Sequence, residues 1–383
     1  MRFPVYVQYV QVACSCFLML MGISLPARDF WVYLGTYTEG SSKGIYVSRL
    51  NADTGELSSP KLAVVTPDPS YLALAPDGKH LYSANEIAGN SGLVSAFAIQ
   101  PASGQLEFLN QKDSGGSSPC HVSVDATGQT LLVANYGTGT IKSLPILGDG
   151  RLGDGGTSIH YQGRSVNPDR QTGPHAHYLG ADPSNRFVLG CDLGTDKIMV
   201  YHLDGINAGL VPNHPVFSSV TPGSGPRHLV FGRDGKLVYV VDEMACTVTC
   251  FNWDNRKGQL FQRQTISALP EDQAVRPEYT AAEIILHPNG RLLYVSVRGL
   301  DSISVFAVAA LTGKLALIQN VSSGGKAPRG LGIDPTGRWL LAGNQKTDNV
   351  VEFPIDPDSG KLQPPKLQLR IGSPVDFKFI PAN

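Results

Sequence analysis

No sustained helical apolar period runs through this chain of 383 residues, so helical bundles and helical solenoids are excluded. Cysteine is scarce, 6 in all, and no Cys-x-x-Cys pair or Cys/His spacing of a metal module is present. A Cys-x-x-Cys-His signature and a tryptophan pair are missing as well, which argues against a haem or quinone propeller. Neither sign of charge is in excess: Lys+Arg 31 against Asp+Glu 32 leaves a formal charge of -1, which gives a nucleic-acid partner no electrostatic support. A linker that would divide the chain into domains is also lacking.

Turn residues are abundant, with Gly 42 and Pro 27, and they recur in one phrase. An apolar strand leads into a turn of the Pro-Asp-Gly or Asp-Pro-x-Gly type, followed by a second apolar strand that ends in Asn, Asp or a charged residue. The phrase centres on Gly78, Gly128, Asn185, Gly235, Gly290 and Gly337, roughly 47 to 57 residues apart. A repeat of that period made of short β-rich runs predicts a propeller, each repeat being one blade of four antiparallel strands. The N-terminal FWVYLGTYTEGSSKGIYVSRL and its continuation supply second, third and fourth strands, and the C-terminal SPVDFKFIPAN supplies a first strand. Joined, they make a composite seventh blade that closes the ring and leaves no free sheet edge. The fold class is therefore all-β, a seven-bladed β-propeller.

Residues 1–27 lie outside the repeat. Arg2, an apolar stretch from about Val10 to Leu25, and Ala27 before Arg28 and Asp29 read as a secretory signal peptide cut after Ala27, leaving 28–383 as one propeller domain. The expected location is periplasmic or secreted, with a cytoplasmic protein as the alternative and no stable membrane insertion after cleavage. Cys120, Cys191, Cys246 and Cys250 remain in the mature chain and read as buried small hydrophobes, with Cys246 and Cys250 on one side of a third strand.

The turns also serve as a ruler. Fixed offsets from them place Ser70, Cys120, His177, Arg227, Ala282 and Arg329 at the start of first strands, and Glu86, Tyr136, Leu193, Glu243, Arg298 and Gln345 just past second strands. In an antiparallel hairpin these two positions share one end, so all of them gather at one mouth of the ring. His175 and His177, two apart and so on one face of a strand, join Arg227, Glu243, Arg298 and Arg329 there. Asn135 and Asn344, which close second strands, are candidate substrate ligands. Convergent polar groups in a concavity define a candidate binding site.

Other readings compete at several positions. Arg227 and Glu243 can form a structural cross-strand ion pair, and His175 with His177 can hold a metal, though no third ligand is evident. His228 is expected to point away from Arg227 and to pack or hydrogen-bond. Asp192, Asp196, Asp301 and Asp348 precede third strands, where Asx-turn capping explains such residues.

The phrases GPHAHYLGADPSNRFVLGCDLGTDKIMVY, GPRHLVFGRDGKLVYVVDE, LYVSVRGLDSISVF and APRGLGIDPTGRWLLAGNQKTDNV, with the opening YLGTYTEGSSKGIYV, resemble the seven-bladed propeller lactonase family. That family includes propeller-type 6-phosphogluconolactonases and carboxy-cis,cis-muconate cyclases, and the resemblance runs from Trp31 to Pro381. It implies a cofactor-independent enzyme acting on a small sugar or organic-acid lactone, with His175 or His177, Arg227, Glu243 and Arg298 in the site.

Lactone hydrolysis needs a deprotonated water, a stabilised oxyanion and a protonated leaving alkoxide. His177 or His175 suits the base, and Arg227 and Arg298 suit the oxyanion and a substrate carboxylate or phosphate. Glu243 either orients Arg227 or a histidine, or acts as general acid if its pKa is raised. The rival reading is a non-catalytic secreted propeller that grips an anionic sugar or a protein partner. Export predicts that the mature protein begins at Arg28, which intact-mass measurement of the protein recovered after expression with its leader checks; retention of Met1 overturns the reading.

Overall fold

An acid organises every repeat turn but the HPNG turn at Gly290, where His287 and Asn289 accept the backbone N–H groups instead. In the DATG, DPSN and DPTG turns, Asp125, Asp182 and Asp334 are buried. Asp334 Oδ1 accepts the backbone N–H groups of Arg338 and Trp339, both at 2.8 Å, and Asp125 Oδ1 accepts those of Gln129 and Thr130 in the same way. The residue that reverses the chain takes a left-handed conformation, φ 74° at Gly128 and 76° at Gly337, which glycine adopts without a Cβ penalty. Asn185 does the same at φ 57°, a tolerated choice because Asn is the commonest non-glycine residue there. The turn phrase therefore fixes hairpins, and hairpins set the register of the strands they join.

The computed structural model describes residues 29–89 and 91–382, together with residue 1; the expected leader lies outside them. No helix occurs among the described residues. Six four-stranded antiparallel sheets follow in chain order, with first strands Pro69–Leu74, Pro119–Val124, Ala176–Ala181, Pro226–Phe231, Thr280–Leu286 and Pro328–Ile333. These are blades one to six. In the seventh, the C-terminal strand Pro374–Pro381 pairs antiparallel with Asp29–Thr36, which pairs with Gly44–Asn51. First strands of successive blades pack against one another, and Pro374–Pro381 packs against both Pro328–Ile333 and Pro69–Leu74. The ring is thus a seven-bladed β-propeller closed by its two ends.

Apolar side chains fill the seams. Seven hydrophobic clusters each draw on two neighbouring blades, from the cluster of Tyr82, Val94, Val122 and Leu131 between blades one and two to that of Tyr33, Ile45, Leu72 and Phe97 across the closure. A blade cannot bury both faces alone, so each stack supplies what its neighbour lacks. Polar ties cross the same seams: Tyr82, Tyr239 and Tyr294 donate through their hydroxyls to the carbonyls of Gly150, Gly313 and Gly360 in the following blade.

One irregularity repeats in every blade. The first strand carries a β-bulge at the same register, which leaves Ser70, Cys120, His177, Arg227, Ala282 with Glu283, Arg329 and Val375 out of step with the second strand. A bulge re-aims side chains and breaks the alternation of faces. The residues that follow, Tyr71, His121, Tyr178, His228, Glu283 and Asp376, point into the channel and meet across it. Tyr71 of blade one lies 5.4 Å, and His121 of blade two 5.3 Å, from His228 of blade four, centroid to centroid. Contact between non-adjacent blades is possible only at the axis. The channel is therefore plugged by side chains beneath the mouth.

Two expectations change in detail. Cys246 sits before the third strand Thr247–Asp254 with φ 50°, so it and Cys250 are not two steps along one strand, although both are buried in the seam between blades four and five. Asp196, Asp301 and Asp348 also reach beyond their own turns. Asp196 accepts the N–H groups of Gly223 and Gly225, Asp301 that of Ala327 and Asp348 that of Ser373, which ties each third-strand turn to the segment entering the next blade.

Glu352, on the third strand of blade six, is 1% exposed and neither of its carboxylate oxygens has a hydrogen-bond partner. Burial pushes its pKa up to about 7 from the ordinary 4.5, against a lesser opposing pull from Lys366. A raised carboxyl value means native stability is full below pH 4.5 and is lost as pH rises through about 7. Glu352→Gln is expected to stabilise the protein by about 3 kcal/mol at roughly pH 9 and to change little at roughly pH 4, as read by thermal unfolding at both.

Candidate functional site

The bulge and the strand end meet at one mouth. Just past second strands, a backbone N–H donates to the residue that precedes the first strand of the same blade: Tyr37 to Ser373, Glu86 to Asp68, Tyr136 to Ser118 and Glu243 to Gly225. These bonds set the side chains of Tyr37, Glu86, Tyr136 and Glu243 around the channel opening, beside the bulged His177 and Arg329. Together with Arg170 and Arg298 they line a cavity of about 240 Å³, sized for a small polar molecule.

Glu243 is the centre of the charge arrangement. It is 4% exposed, its Oε1 lies 2.8 Å from Arg170 Nη2, and its Oε2 lies 3.1 Å from Arg227 Nε and 3.0 Å from Arg298 Nη2. Burial alone would push the carboxyl up, but Arg298, Arg227 and Arg170 together outweigh it and hold its pKa down at about 2. Contact with three guanidinium groups thus holds Glu243 as an anion and favours the orienting role expected for it over that of a general acid, which required a raised value. On the other side of the mouth, Tyr37 donates to Glu86 at 2.6 Å, and Arg329 lies 3.8 Å from Glu86 and over the Tyr37 ring. Three arginines and two glutamates line the cavity with Arg227 directly below, so the surplus is positive and suits an anion.

His177 is 3% exposed, and its Nδ1 faces Cys120 Sγ at 3.6 Å. No partner engages its Nε2 among the described residues, and the ring lines the cavity. Burial first, then the charges of Arg227 and the presence of His228, hold its pKa well below the usual 6.5, so the ring is neutral at neutral pH, and with its proton on Nδ1 toward Cys120 it offers an Nε2 lone pair to the cavity. Burial likewise brings Arg298 down to about 10, opposed by Glu243.

Both His175 and His177 pack on the Tyr136 ring, at 4.4 and 5.6 Å between centroids, but His175 precedes the strand Ala176–Ala181 and does not line the cavity. Its backbone N–H donates to Asp192, its Nδ1 lies 2.9 Å from the Tyr136 carbonyl oxygen, and its ring stacks on Tyr136 at 4.4 Å. His228 departs from expectation: the bulge turns both it and Arg227 toward the axis, with Arg227 Nη1 3.4 Å from His228 Nδ1. Asn135 and Asn344 are fully buried and donate to the carbonyls of Ser114 and Ser323, tying the loops that enter their blades. Neither lines the cavity.

Arg170 and Tyr37 escape the ruler. Arg170 lies in the connection between His160 and Ala176, which belongs to no hairpin. The one signal was the turn spacing from Gly128 to Asn185, at roughly 57 residues the longest in the series. Tyr37 follows the second strand of the composite blade, where first and second strands come from opposite ends of the chain and no turn joins them.

A closed propeller with a basic, histidine-bearing mouth defines a small-molecule enzyme site. The family description "Lactonase, 7-bladed beta-propeller" matches residues 31–379, and the chain belongs to that family of lactone hydrolases. It is 37% identical over 349 residues to the 6-phosphogluconolactonase of Bacillus subtilis (strain 168), covering 91% of this chain and 97% of that one. The structure of the Pseudomonas aeruginosa periplasmic gluconolactonase PpgL superposes with a TM-score of 0.88 at 32% identity, over 93% of this chain and 100% of that one. A putative 6-phosphogluconolactonase from Bacteroides fragilis NCTC 9343 gives 0.87 at 34% identity, over 93% and 99%.

Because three guanidinium groups share Glu243, its loss leaves buried cations facing one another. Glu243→Gln is expected to destabilise the fold by about 3–5 kcal/mol, measured by denaturant unfolding at neutral pH. With the wild-type pKa depressed to about 2, this advantage of the wild type is full above pH 4.5 and shrinks as pH falls toward 2.

Proposed function

We propose that the chain hydrolyses a lactone of an aldonic acid, bare or bearing a phosphate, with His177 as general base and arginines as anion and oxyanion ligands. The observation that carries this reading is the neutral, cavity-facing His177 within one small mouth whose arginines outnumber its carboxylates. A water approaching the ester carbonyl gives its proton to His177 Nε2 as the C–O bond forms. The oxygen that gains negative charge is met by Arg298 and Arg227, whose guanidinium groups stay charged and need no proton to stabilise it. When the tetrahedral carbon collapses, the ring C–O bond breaks and the imidazolium returns its proton to the departing alkoxide, which regenerates neutral His177 and releases the open hydroxy acid. Glu243 holds Arg170, Arg227 and Arg298 in place and takes no proton.

Arg329 and Arg170, on opposite sides of the cavity, are the residues left to grip a carboxylate or phosphate of the substrate, with Tyr37 and Tyr136 beside them. Asn135 and Asn344 support the mouth from within the blades. Names carried by similar proteins include both a phosphorylated substrate, in the Bacillus subtilis enzyme, and a periplasmic gluconolactonase. The leader-like residues 1–27 favour the second setting, an exported lactonase acting on a sugar lactone outside the cytoplasm, with 28–383 as the mature domain.

Acid release from glucono-δ-lactone and from its 6-phosphate, with and without chelator, tests this reading. Wild-type protein is expected to open at least one of them, and His177→Ala to lose about 10²–10⁴-fold in kcat with the fold intact. The acid limb of the wild-type pH profile is expected below the ordinary histidine range, since the folded pKa is lowered. No hydrolysis of either lactone, or full activity in the variant, overturns it.

A further inference from the structure

Beneath the mouth, the plug layer contains ionisable groups that the hydrolytic steps do not use. Glu283 is 5% exposed and stands at the bulge of blade five, where Ala282 and Glu283 together face the single Ser296 of the second strand. Its Oε1 lies 3.1 Å from His228 Nδ1. That nitrogen is also 3.4 Å from Arg227 Nη1, and the same Nη1 donates at 2.6 Å to the Ala282 carbonyl. One bulge thus delivers a carbonyl and, through His228, a carboxylate to the underside of one guanidinium.

Proton bookkeeping fixes the arrangement. Arg227 can only donate, and the Nδ1 of a neutral imidazole has either a proton or a lone pair. With an ionised Glu283 the proton sits on Nδ1 and points to the carboxylate, which orients the ring; Nδ1 then accepts nothing from Arg227, and Glu283 acts on that guanidinium through its charge. Charge bookkeeping points the same way. Asp376 in this layer is paired with Lys378 at 2.6 Å, whereas the mouth carboxylate Glu243 is already shared by Arg170 and Arg298. Glu283 is the remaining carboxylate near Arg227; burial pushes its pKa above the ordinary value, and Arg227 is the strongest influence opposing that push.

We infer that Glu283, oriented by His228, is a positioning residue whose charge serves as the lower counter-ion of Arg227 and, with the Ala282 carbonyl of the same bulge, holds its guanidinium aimed at the mouth. The pair touches no substrate. Its effect on the reaction passes entirely through Arg227, so the inference rests on the role given to that arginine above.

A double-mutant cycle reads that dependence directly. Glu283→Gln keeps volume and an acceptor for His228 while removing the charge. It is expected to lower kcat on the better of the two lactones at least about fivefold with KM changed less than about twofold, but to have less than about a twofold effect in an Arg227→Ala background. Equal losses in both backgrounds, or no loss in the wild-type background, overturn the inference. Should Glu283→Gln fail to fold, His228→Asn, which keeps a donor near the Nδ1 position, is expected to retain activity while His228→Leu loses it only when Arg227 is present; equal effects with and without Arg227 overturn it. A parallel calorimetric titration with gluconate separates the two readings, because coupling between Glu283 and Arg227 in gluconate affinity survives even where neither lactone is hydrolysed. Wild-type inactivity on both lactones then counts against the hydrolytic reading alone, while absence of coupling in both kinetics and binding counts against this one.

Discussion

A β-bulge at one register of every inner strand is the constraint on which the rest of the molecule depends. In a regular strand, neighbours alternate between faces, and a channel-facing residue would be followed by one buried in a seam. The bulge breaks that rule once per blade, so two consecutive residues serve the channel. The first of them reaches the mouth at His177 and Arg329 and meets Glu243 just beneath it at Arg227; the second, His228 among them, enters the plug. Closure of the ring by Pro374–Pro381 then holds seven such strands at a common height.

The mouth this produces is a problem in electrostatics before it is a catalyst. Burying Arg227 and Arg298 beside each other costs solvation and adds repulsion, and only carboxylates in direct contact offset it. Glu243 meets three guanidinium groups from three different segments, including Arg170 from a long connection. Such an arrangement is fixed before a ligand arrives, which is what stabilising a developing charge requires. His177 is the neutral member of the same neighbourhood, kept so by burial and by the cations around it.

Much of this was legible in the residues alone because turn chemistry is local. Asp, Thr and Gly at fixed spacing specify a hairpin whatever surrounds it, and counting hairpins specified the blades, their number and the composite seventh. The same offsets brought His177, Arg227, Glu243, Arg298 and Arg329 to one end. Errors arose where the argument assumed regular alternation. His228 was placed opposite Arg227, and that placement fails because a bulge shifts phase by one residue; His175 packs on Tyr136 beside His177 but stops short of the cavity. Asn135 and Asn344 end their strands at the mouth, yet their amides turn inward to satisfy carbonyls that would otherwise be buried unpaired.

Fold class, blade number and the residue types gathered at the mouth were thus settled by local patterns, since turns, strand periodicity and charge depend on near neighbours in the chain. Side-chain direction, protonation and partnership were settled only when the ring closed. Arg170 meets Glu243 across 73 positions of the chain, and Tyr37 of the composite blade meets Glu86 of blade one. The low pKa of Glu243 arises from three arginines, of which the turn spacing brings only Arg227 and Arg298 to the mouth. Long-range burial and charge depend on which blades become neighbours, and that is a property of the closed ring.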